Sequence, residues 1–267
     1  MTSNHGIRFD VRRVAETGST NDDLARLLDQ AADGDAKTAN SFADLLVLRA
    51  EHQTAGRGRL DRRWEAPPAA NLLFSILFLH PPQRPHVVTQ ALSLAAVQAV
   101  DRLAGWNTKT SRVSLKWPND VLLDGVKLAG LLAQRHASGA VIAGMGLNVG
   151  WAPDGAAKIR DIDAASASSA QPARVLDVLL DELWQLSAEG RFDVPGIDEA
   201  IMVAARLRTS TIGTDVRLEL PGGRRVQGRA VAIDDDGRLV VERYGADRGG
   251  DREHFDVGDI VHLRRHE

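Results

Sequence analysis

Apolar positions along the first part of the chain follow two periods, one typical of strands and one typical of helices. Alternation of apolar and polar residues predicts a strand at 8–14, and short apolar runs predict strands at 45–50, 71–79 and 140–149. Helical spacing predicts four helices. The first starts at Ser19 or Thr20, and the second spans 87–104 and ends at Gly105. The third runs from Pro172 to Gly190, and the fourth covers 197–207. Strands mixed with packed helices in this way predict an α+β fold.

Residues 113–132 predict a β-hairpin within this pattern. A short apolar strand stops at Trp117 and Pro118, and Asn119 and Asp120 begin the next strand. The Asp-Gly pair at 124–125 is a strong signal for a two-residue turn. The hairpin gathers two ammonium groups, an amide and a carboxylate, on Lys116, Lys127, Asn119 and Asp120. Such a set suits a nucleoside triphosphate and its magnesium ion.

Residues 56–64 concentrate two glycines and four arginines. Glycine leaves the backbone free to move and guanidinium groups recognise phosphate or carboxylate, so the segment predicts a mobile loop that binds an anion. A basic turn that only faces solvent is the alternative. Lysine is scarce in the chain, yet Lys116 and Lys127 both lie in the hairpin. Unless that placement is chance, it favours a pocket that needs a compact ammonium charge.

Beyond Thr209 the pattern changes to short alternating strands separated by turns, at 215–220, 224–233, 238–244 and around Phe255 and Ile260. Strands this short and regular predict a small all-β domain. We therefore expect a larger domain at 1–209 and an all-β domain at 210–267. Nothing in the second pattern predicts a catalytic group.

Composition excludes several classes of protein. The 267 residues include no cysteine, which rules out disulfides, thiol nucleophiles and iron–sulfur clusters. The eight histidines show no metal-ligand spacing, so we expect no protein-bound zinc and no redox cofactor. A formal charge of -3 gives no general attraction to nucleic acid or acidic membranes. The chain shows neither a signal peptide nor a run of about 18 apolar residues, so we expect a cytoplasmic protein without a membrane partner.

Taken together, the motifs resemble those of the biotin–protein ligases. Three hallmarks stand here unaltered: GRGR with a following Trp64, KWPND at 116–120 and KLAG at 127–130. Three shorter matches accompany them: STN at 19–21, the glutamine of HQTAGRGR at 53 and GMGLN at 144–148. The resemblance covers roughly residues 10–265. It implies a central mixed β-sheet with packed helices, similar to class II aminoacyl-tRNA synthetases, and a C-terminal SH3-like β-barrel.

The resemblance also implies a two-step reaction. ATP and biotin form biotinyl-5′-adenylate and pyrophosphate, with Mg²⁺ accompanying ATP. A lysine of a biotin carboxyl carrier domain, part of an acetyl-CoA or acyl-CoA carboxylase, then attacks the mixed anhydride to form an amide. Some members carry an N-terminal winged helix that represses biotin genes. Because the STN motif begins at residue 19, we expect the single-function form, which binds no DNA.

The same resemblance assigns roles to residues. Lys127 is expected to stabilise charge where the carboxylate meets the phosphate, with Arg59 and Asp120 as further catalytic residues and Asp120 also near Mg²⁺. Trp64 is expected to cover the adenine and Asn148 to hydrogen-bond it. The expected biotin-binding residues are Ser19, Thr20, Asn21, Gln53, Gly56, Arg57, Gly58, Arg59, Lys127 and Gly130. The expected ATP-binding residues are Arg59, Arg62, Trp64, Lys116, Asn119, Asp120 and Asn148.

Two alternatives stay open at this point. A lipoate–protein ligase shares the fold and the chemistry, and a ligand-binding assay would separate it from a biotin ligase. A nucleic-acid-binding protein would use residues 56–64, the arginine loop, to bind phosphates and the β-barrel as a binding platform. Tight, steeply salt-dependent binding would identify such a protein. KWPND and GRGR favour the biotin branch, and the near-neutral charge disfavours nucleic acid.

Overall fold

The computed structural model describes residues 9–33, 45–59, 62–192, 194–244, 251–256 and 259–262 of the chain. A seven-stranded sheet forms the centre of the larger part. Its strands are β1 (Asp10–Thr17), β2 (Leu46–Gln53), β3 (Leu72–Phe78), β4 (Val113–Lys116), β5 (Asp120–Leu123), β6 (Val126–Arg135) and β7 (Val141–Leu147). They lie in the order β1-β2-β3-β7-β6-β5-β4, with β1 and β2 parallel and the other neighbours antiparallel. The predicted mixed central sheet is confirmed.

Helices cover both faces of this sheet. They are α1 (Thr20–Ala32), α2 (His86–Ala104), the single-turn α3 (Ala165–Ser168), α4 (Pro172–Leu186) and α5 (Ile197–Arg208). On one face α1 packs Leu24 and Leu28 against β2, β3 and β7, and on the other α2 lies over the sheet with α4 and α5 beside it. Because both faces are covered, every residue of β3 is buried, which explains its almost continuous apolar sequence. None of the helices in the described ranges is long and apolar enough to span a lipid bilayer.

Several element boundaries differ from the expectation, and the strand expected at 45–50 spans Leu46–Gln53. The first strand spans Asp10–Thr17 rather than 8–14. The helix that opens at Pro172 ends at Leu186 and not at Gly190. Gly190 has a φ of 82° and lies in a tight turn closed by a β-bridge, so this glycine serves the turn and not the helix end. Gly105, by contrast, ends α2 with a φ of 70°, as predicted.

The predicted hairpin is confirmed, except that Asn119 lies before the strand that it is expected to begin. β4 pairs with β5 and β5 with β6 in antiparallel register. Asp124 and Gly125 have φ values of 51° and 76°, the left-handed backbone that a type I′ turn requires at both central positions. Asn119 lies in the turn before β5, and Asp120 opens that strand. Lys116 and Asp120 are therefore directly opposite one another where β4 and β5 meet.

The C-terminal part is a second, antiparallel sheet. Its strands are β8 (Asp215–Glu219), β9 (Arg225–Ile233), β10 (Leu239–Arg243), β11 (Arg252–Phe255) and β12 (Asp259–His262). They lie in the order β11-β10-β9-β8-β12. Val216, Leu218 and Val226 belong to the same buried core as α2 and the main sheet. The predicted small all-β domain is thus present and packs directly on the larger part, while the boundary at 209–210 stays a prediction.

We expect the folding stability to depend on pH through His86, the first residue of α2. Burial lowers the pKa of His86, and the charge of Arg84 adds to this effect, against smaller opposing effects of Asp236 and Asp234. A folded pKa below the unfolded value of about 6.5 means that the folded protein favours the neutral ring. This contribution to stability is complete above about pH 6.5 and is lost as the pH falls through the folded pKa.

We therefore expect the wild-type protein to lose more free energy of unfolding than a His86→Gln variant when the pH is lowered from about 7.5 to about 5.5. Urea denaturation of both proteins at both pH values measures the difference. The variant serves as the reference because it keeps every other titratable group. Equal losses in the two proteins would contradict the assignment to His86.

Candidate active site

A cavity of about 120 Å³ opens beside the N-terminus of α1, between the arginine loop and the hairpin. Most of the predicted site residues line it: Ser19, Thr20, Asn21, Gln53, Arg57, Gly58, Arg59, Arg62, Trp64, Asn119, Asp120, Lys127 and Gly130. Motifs that are far apart in the sequence therefore meet at one place. A concave site with converging polar and charged groups is the usual form of an active site.

One side of the cavity is formed by a chain of buried polar groups. The backbone N–H of Thr20 donates to Gln53 Oε1 at 2.8 Å. The Thr20 hydroxyl lies 2.6 Å from Ser75 Oγ, which donates to Asn21 Oδ1 at 2.5 Å. Asn21 Nδ2 in turn donates to the carbonyl of Leu132 at 3.1 Å. These bonds fix the orientation of each side chain, which prepares the site for a polar but uncharged ligand group.

Local sequence explains why these groups can meet. Ser19 is the N-cap of α1, so the helix begins at the polar triplet and directs it towards the sheet. A Cβ at Gly144 would lie 2.3 Å from Asn21 Oδ1, and a Cβ at Gly146 would lie 2.2 Å from Cε2 of Trp64. The two glycines of GMGLN therefore make room for two side chains of the site.

The other side of the cavity carries the cations. Lys127 Nζ lies 2.7 Å from Asp120 Oδ1 and 5.6 Å from the centre of the Trp64 ring. Arg59 Nη1 donates to Asn119 Oδ1 at 3.3 Å. The side-chain amide of Asn119 is itself held by a carbonyl of β6 at 2.6 Å. Asp120 and Asn119 thus hold two cations, one from the hairpin and one from the arginine loop, at the edge of the cavity.

Burial makes these cations favour an anionic ligand. Burial lowers the pKa of Arg59, while the Asp120 carboxylate opposes this effect and the charge of Arg62 adds to it. Burial also lowers the pKa of Lys116, again opposed by Asp120 and reinforced by Lys127 and Arg62. Clustered cations that have lost part of their hydration are stabilised when an anion binds among them. The geometry therefore favours phosphate or carboxylate ligands on this side.

The described residues of the arginine loop form a narrow turn at the cavity. Trp64 N donates to the carbonyl of Gly56 at 2.9 Å, and Gly58 N donates to the carbonyl of Arg62 at 2.7 Å. A Cβ at Gly56 would lie 2.3 Å from the Trp64 carbonyl oxygen, so glycine permits this close approach. Residues 60–61 of the loop lie outside the described ranges. The mobility expected of this loop stays a prediction.

Three predicted residues lie away from the cavity lining. Gly56 is buried where the arginine loop begins, and Lys116 borders a smaller cleft on the side of the C-terminal domain. Asn148 is buried, donates to the Ala157 carbonyl at 3.0 Å and accepts from Asn71 Nδ2 at 3.2 Å. Its amide thus holds neighbouring protein groups. The adenine contact expected of Asn148 stays a prediction that this geometry does not support.

Ser75 is a site residue that the sequence analysis missed. It lies in the middle of β3, is fully buried and joins Thr20 to Asn21. One signal was present, because a single serine inside an otherwise apolar buried strand requires a polar partner. Phe74 and Met145 line the cavity as well. Their apolar sequence context gave no signal of this.

The fold and the site define an enzyme of the biotin and lipoate ligase class. Residues 35–150 match the Biotin/lipoate A/B protein ligase family, and residues 211–263 match the Biotin protein ligase C terminal domain. The chain is 40% identical over 258 residues to a biotin–[acetyl-CoA-carboxylase] ligase of Mycobacterium tuberculosis, covering 94% of this chain and 88% of that protein. It is 30% identical over 240 residues to a ligase of the same name from Paracoccus denitrificans, covering 85% and 92%. The chain therefore belongs to the biotin–protein ligase family.

A solved structure has the same fold. The biotin protein ligase from Aquifex aeolicus, in complex with biotin and ATP, aligns with a TM-score of 0.71 at 21% identity, over 96% of this chain and 99% of that one. The activity is that of the family, the ligation of biotin to protein. Family membership favours biotin over lipoate as the substrate, and it argues against the alternative of a nucleic-acid-binding protein.

Proposed function

We propose that the cavity divides the ligase reaction between a biotin side and an ATP side, with Lys127 where the two meet. The observation that carries this proposal is the position of Lys127 Nζ, 2.7 Å from Asp120 and 5.6 Å from the Trp64 ring centre. The polar chain of Thr20, Ser75 and Asn21 lines the same cavity. A carboxylate and a phosphate placed from these two sides would meet beside one ammonium group.

The biotin side suits the ureido ring, which is polar but uncharged. Ser19, Asn21 and Gln53 offer both donors and acceptors, which such a ring needs to replace its hydrogen bonds to water. Phe74 and Met145 supply apolar surface beside them for the hydrocarbon part of the ligand. Binding on this side orients the carboxylate without requiring any charge.

The ATP side suits the transfer of an adenylyl group. A carboxylate oxygen of biotin attacks the α-phosphorus, the new O–P bond forms, and the bond from that phosphorus to the bridging oxygen breaks as pyrophosphate leaves. Arg59, Arg62 and Lys127 line the cavity and surround this negative charge. In the second step the neutral amine of an acceptor lysine attacks the carbonyl carbon, the C–N bond forms, the bond from that carbon to the phosphate oxygen breaks as AMP leaves, and the nitrogen loses a proton to solvent. The proposed reaction requires no covalent intermediate with the protein.

Mg²⁺ belongs to the proposal as part of the ATP co-substrate. Among the described residues no group of three or more His, Asp or Glu side chains converges on one point. Asp120 lines the cavity and fits an ion that takes most of its ligands from phosphate oxygens and water. When bound, the ion would neutralise phosphate charge. A biotin carboxyl carrier domain of an acetyl-CoA or acyl-CoA carboxylase is the proposed acceptor, and a cytoplasmic location is proposed because the reaction consumes ATP.

Exchange of labelled pyrophosphate into ATP tests the first step directly. We expect exchange that requires biotin and is not supported by lipoate. Transfer is tested with an apo carrier domain and with the same domain after its acceptor lysine is replaced by arginine, which should stay unlabelled. Exchange without biotin, or equal exchange with lipoate, would overturn the assignment of the cavity.

Ser75→Ala tests the biotin side. Removing this hydroxyl leaves the Thr20 hydroxyl and Asn21 Oδ1 without the bonds that join them, at a cost of about 1 kcal/mol. We expect the KM for biotin to rise about fivefold while the KM for ATP changes by less than about twofold. The exchange assay measures both constants. An equal rise in the two would show that Ser75 supports the fold in general and not the biotin side.

A further inference from the structure

β4, the strand that ends at Lys116, is an edge strand of the main sheet, and residues beyond α5 bind its outer side. Ser210 donates to the Leu115 carbonyl from its backbone N at 2.8 Å and from its hydroxyl at 3.0 Å. Trp117 N donates to Thr211 Oγ1 at 3.2 Å, and Thr211 is fully buried. The segment that leads into the C-terminal domain therefore fixes the backbone on both sides of Lys116.

The side chain of Trp117 makes a second link to that domain. It is 4% exposed, and its Nε1 donates to the carbonyl of Gly237 at 2.9 Å. Gly237 ends the turn between β9 and β10 and has a φ of 77°. A Cβ there would lie 2.8 Å from Cδ2 of His86, at the start of α2. Only glycine fits both this backbone and this contact.

The turn is fixed from two directions. From the larger part of the protein, Arg84 Nη1 donates to the Asp235 carbonyl at 3.2 Å and Arg206 Nη2 donates to Asp235 Oδ1 at 2.7 Å. Within the C-terminal domain, Asp234 accepts from Arg238 Nε at 2.9 Å. Burial would raise the pKa of Asp234, but His254 and Arg238 hold it at about 2, so this carboxylate stays charged at neutral pH. We call Trp117 together with the turn 234–237 the interdomain latch.

We propose that Trp117 is a positioning residue. Through the contacts of the interdomain latch, the C-terminal domain holds Trp117 and so sets the geometry of the ATP side of the site. Lys116 precedes Trp117, and Asn119 and Asp120 follow it closely in the chain. A displacement of this segment therefore moves three of the predicted ATP-side residues together. Small displacements are sufficient, since hydrogen bonds and charge-assisted contacts to a bound nucleotide weaken steeply when their distances and angles are lost. The inference rests on the proposed division of the cavity, because the biotin-side residues lie at the start of α1 and on β2, β3 and β7.

The test removes the latch contacts and compares the two substrates. Trp117→Phe keeps a ring in the buried site and deletes the indole N–H. Gly237→Ala disturbs the same contact from the C-terminal domain. In biotin-dependent pyrophosphate exchange we expect each variant to raise the KM for ATP at least about threefold and to leave the KM for biotin within about 1.5-fold.

Two substitutions serve as matched controls. Gly222→Ala introduces the same left-handed strain, at a φ of 80°, in a turn where no other described atom lies within 4 Å of an added Cβ. Trp106→Phe deletes an indole N–H from a partly buried tryptophan outside the latch. We expect both controls to keep the wild-type KM for ATP. If either latch variant fails to fold, Asp235→Ala replaces it, because that side chain is 83% exposed and its contact with Arg206 is removed without touching the core.

The outcomes separate the latch from a general effect on stability. A lower folded fraction reduces kcat and leaves both KM values unchanged, and that result would overturn the positioning role. A parallel rise of both KM values would overturn it as well. If the wild-type protein shows no biotin-dependent exchange, the proposed function fails, and calorimetric titration of wild-type and Trp117→Phe proteins with ATP then decides the latch. Equal ATP affinities would reject it.

Discussion

Replacement of Lys127 by alanine is expected to lower biotin-dependent pyrophosphate exchange by at least about a hundredfold, the usual effect of removing one preorganised charge from a transition state. Lys127 Nζ is held by Asp120 at 2.7 Å and lies over the Trp64 ring, so its position is fixed before any ligand arrives. Charge that is already oriented needs no rearrangement when the carboxylate attacks the phosphate. This is why one ammonium group has so large an expected effect.

Lys127→Arg is expected to fail as well, although it keeps the charge. Gly130 leaves little free space here, because a Cβ at that position would lie 3.2 Å from Lys127 Nζ and 3.1 Å from the Trp64 ring. A broad planar guanidinium does not fit where a compact ammonium does. Lys158→Ala is the matched control, since Lys158 forms an ion pair with Asp161 and lies outside the cavity lining. Exchange within about threefold of wild type in either Lys127 variant would reject this role.

The hairpin that carries Lys127 could be predicted from the sequence because its signals are local. Asp124 and Gly125 both tolerate positive φ, and apolar runs on either side complete a hairpin without help from the rest of the chain. The STN triplet is different. Alone it predicts only a helix cap, which the structure confirms for Ser19. Its place in a binding cavity was predicted through the family resemblance and not from local signals.

Contacts between distant segments could not be predicted in this way. Ser75 and Asn21 are 54 positions apart, and Trp117 and Gly237 are 120 positions apart. No local period records such pairs, since they depend on which strands become neighbours in the sheet. Gly190 shows a related limit, because a glycine after a helical pattern predicts a helix end, whereas here the helix ends at Leu186.

Arg59→Gly is expected to separate making the adenylate from holding it. Arg59 belongs to the arginine loop, and its Nη1 donates to Asn119 Oδ1 at 3.3 Å, so it joins the loop to the hairpin across the cavity. Lys127, the group proposed to promote adenylate formation, lies on the hairpin itself. Loss of Arg59 removes this hydrogen bond between loop and hairpin and leaves Lys127 in place. A further glycine also makes the loop more flexible and its ordering over a ligand more costly.

We therefore expect the Arg59→Gly variant to keep measurable adenylation but to release biotinyl-adenylate at least about tenfold faster, a loss of roughly 1.4 kcal/mol of retention. Free adenylate acylates exposed lysines, so a protein that is not an acceptor should become biotinylated when incubated with the variant, biotin and ATP. An off-rate measured on preformed adenylate complex supports the labelling result. Arg59→Ala is the comparison, because it removes the side chain without adding a glycine and should release the adenylate more slowly than Arg59→Gly but faster than wild type. Release at the wild-type rate, with an unlabelled bystander protein, would show that Arg59 does not retain the intermediate and that the arginine loop does not close the site.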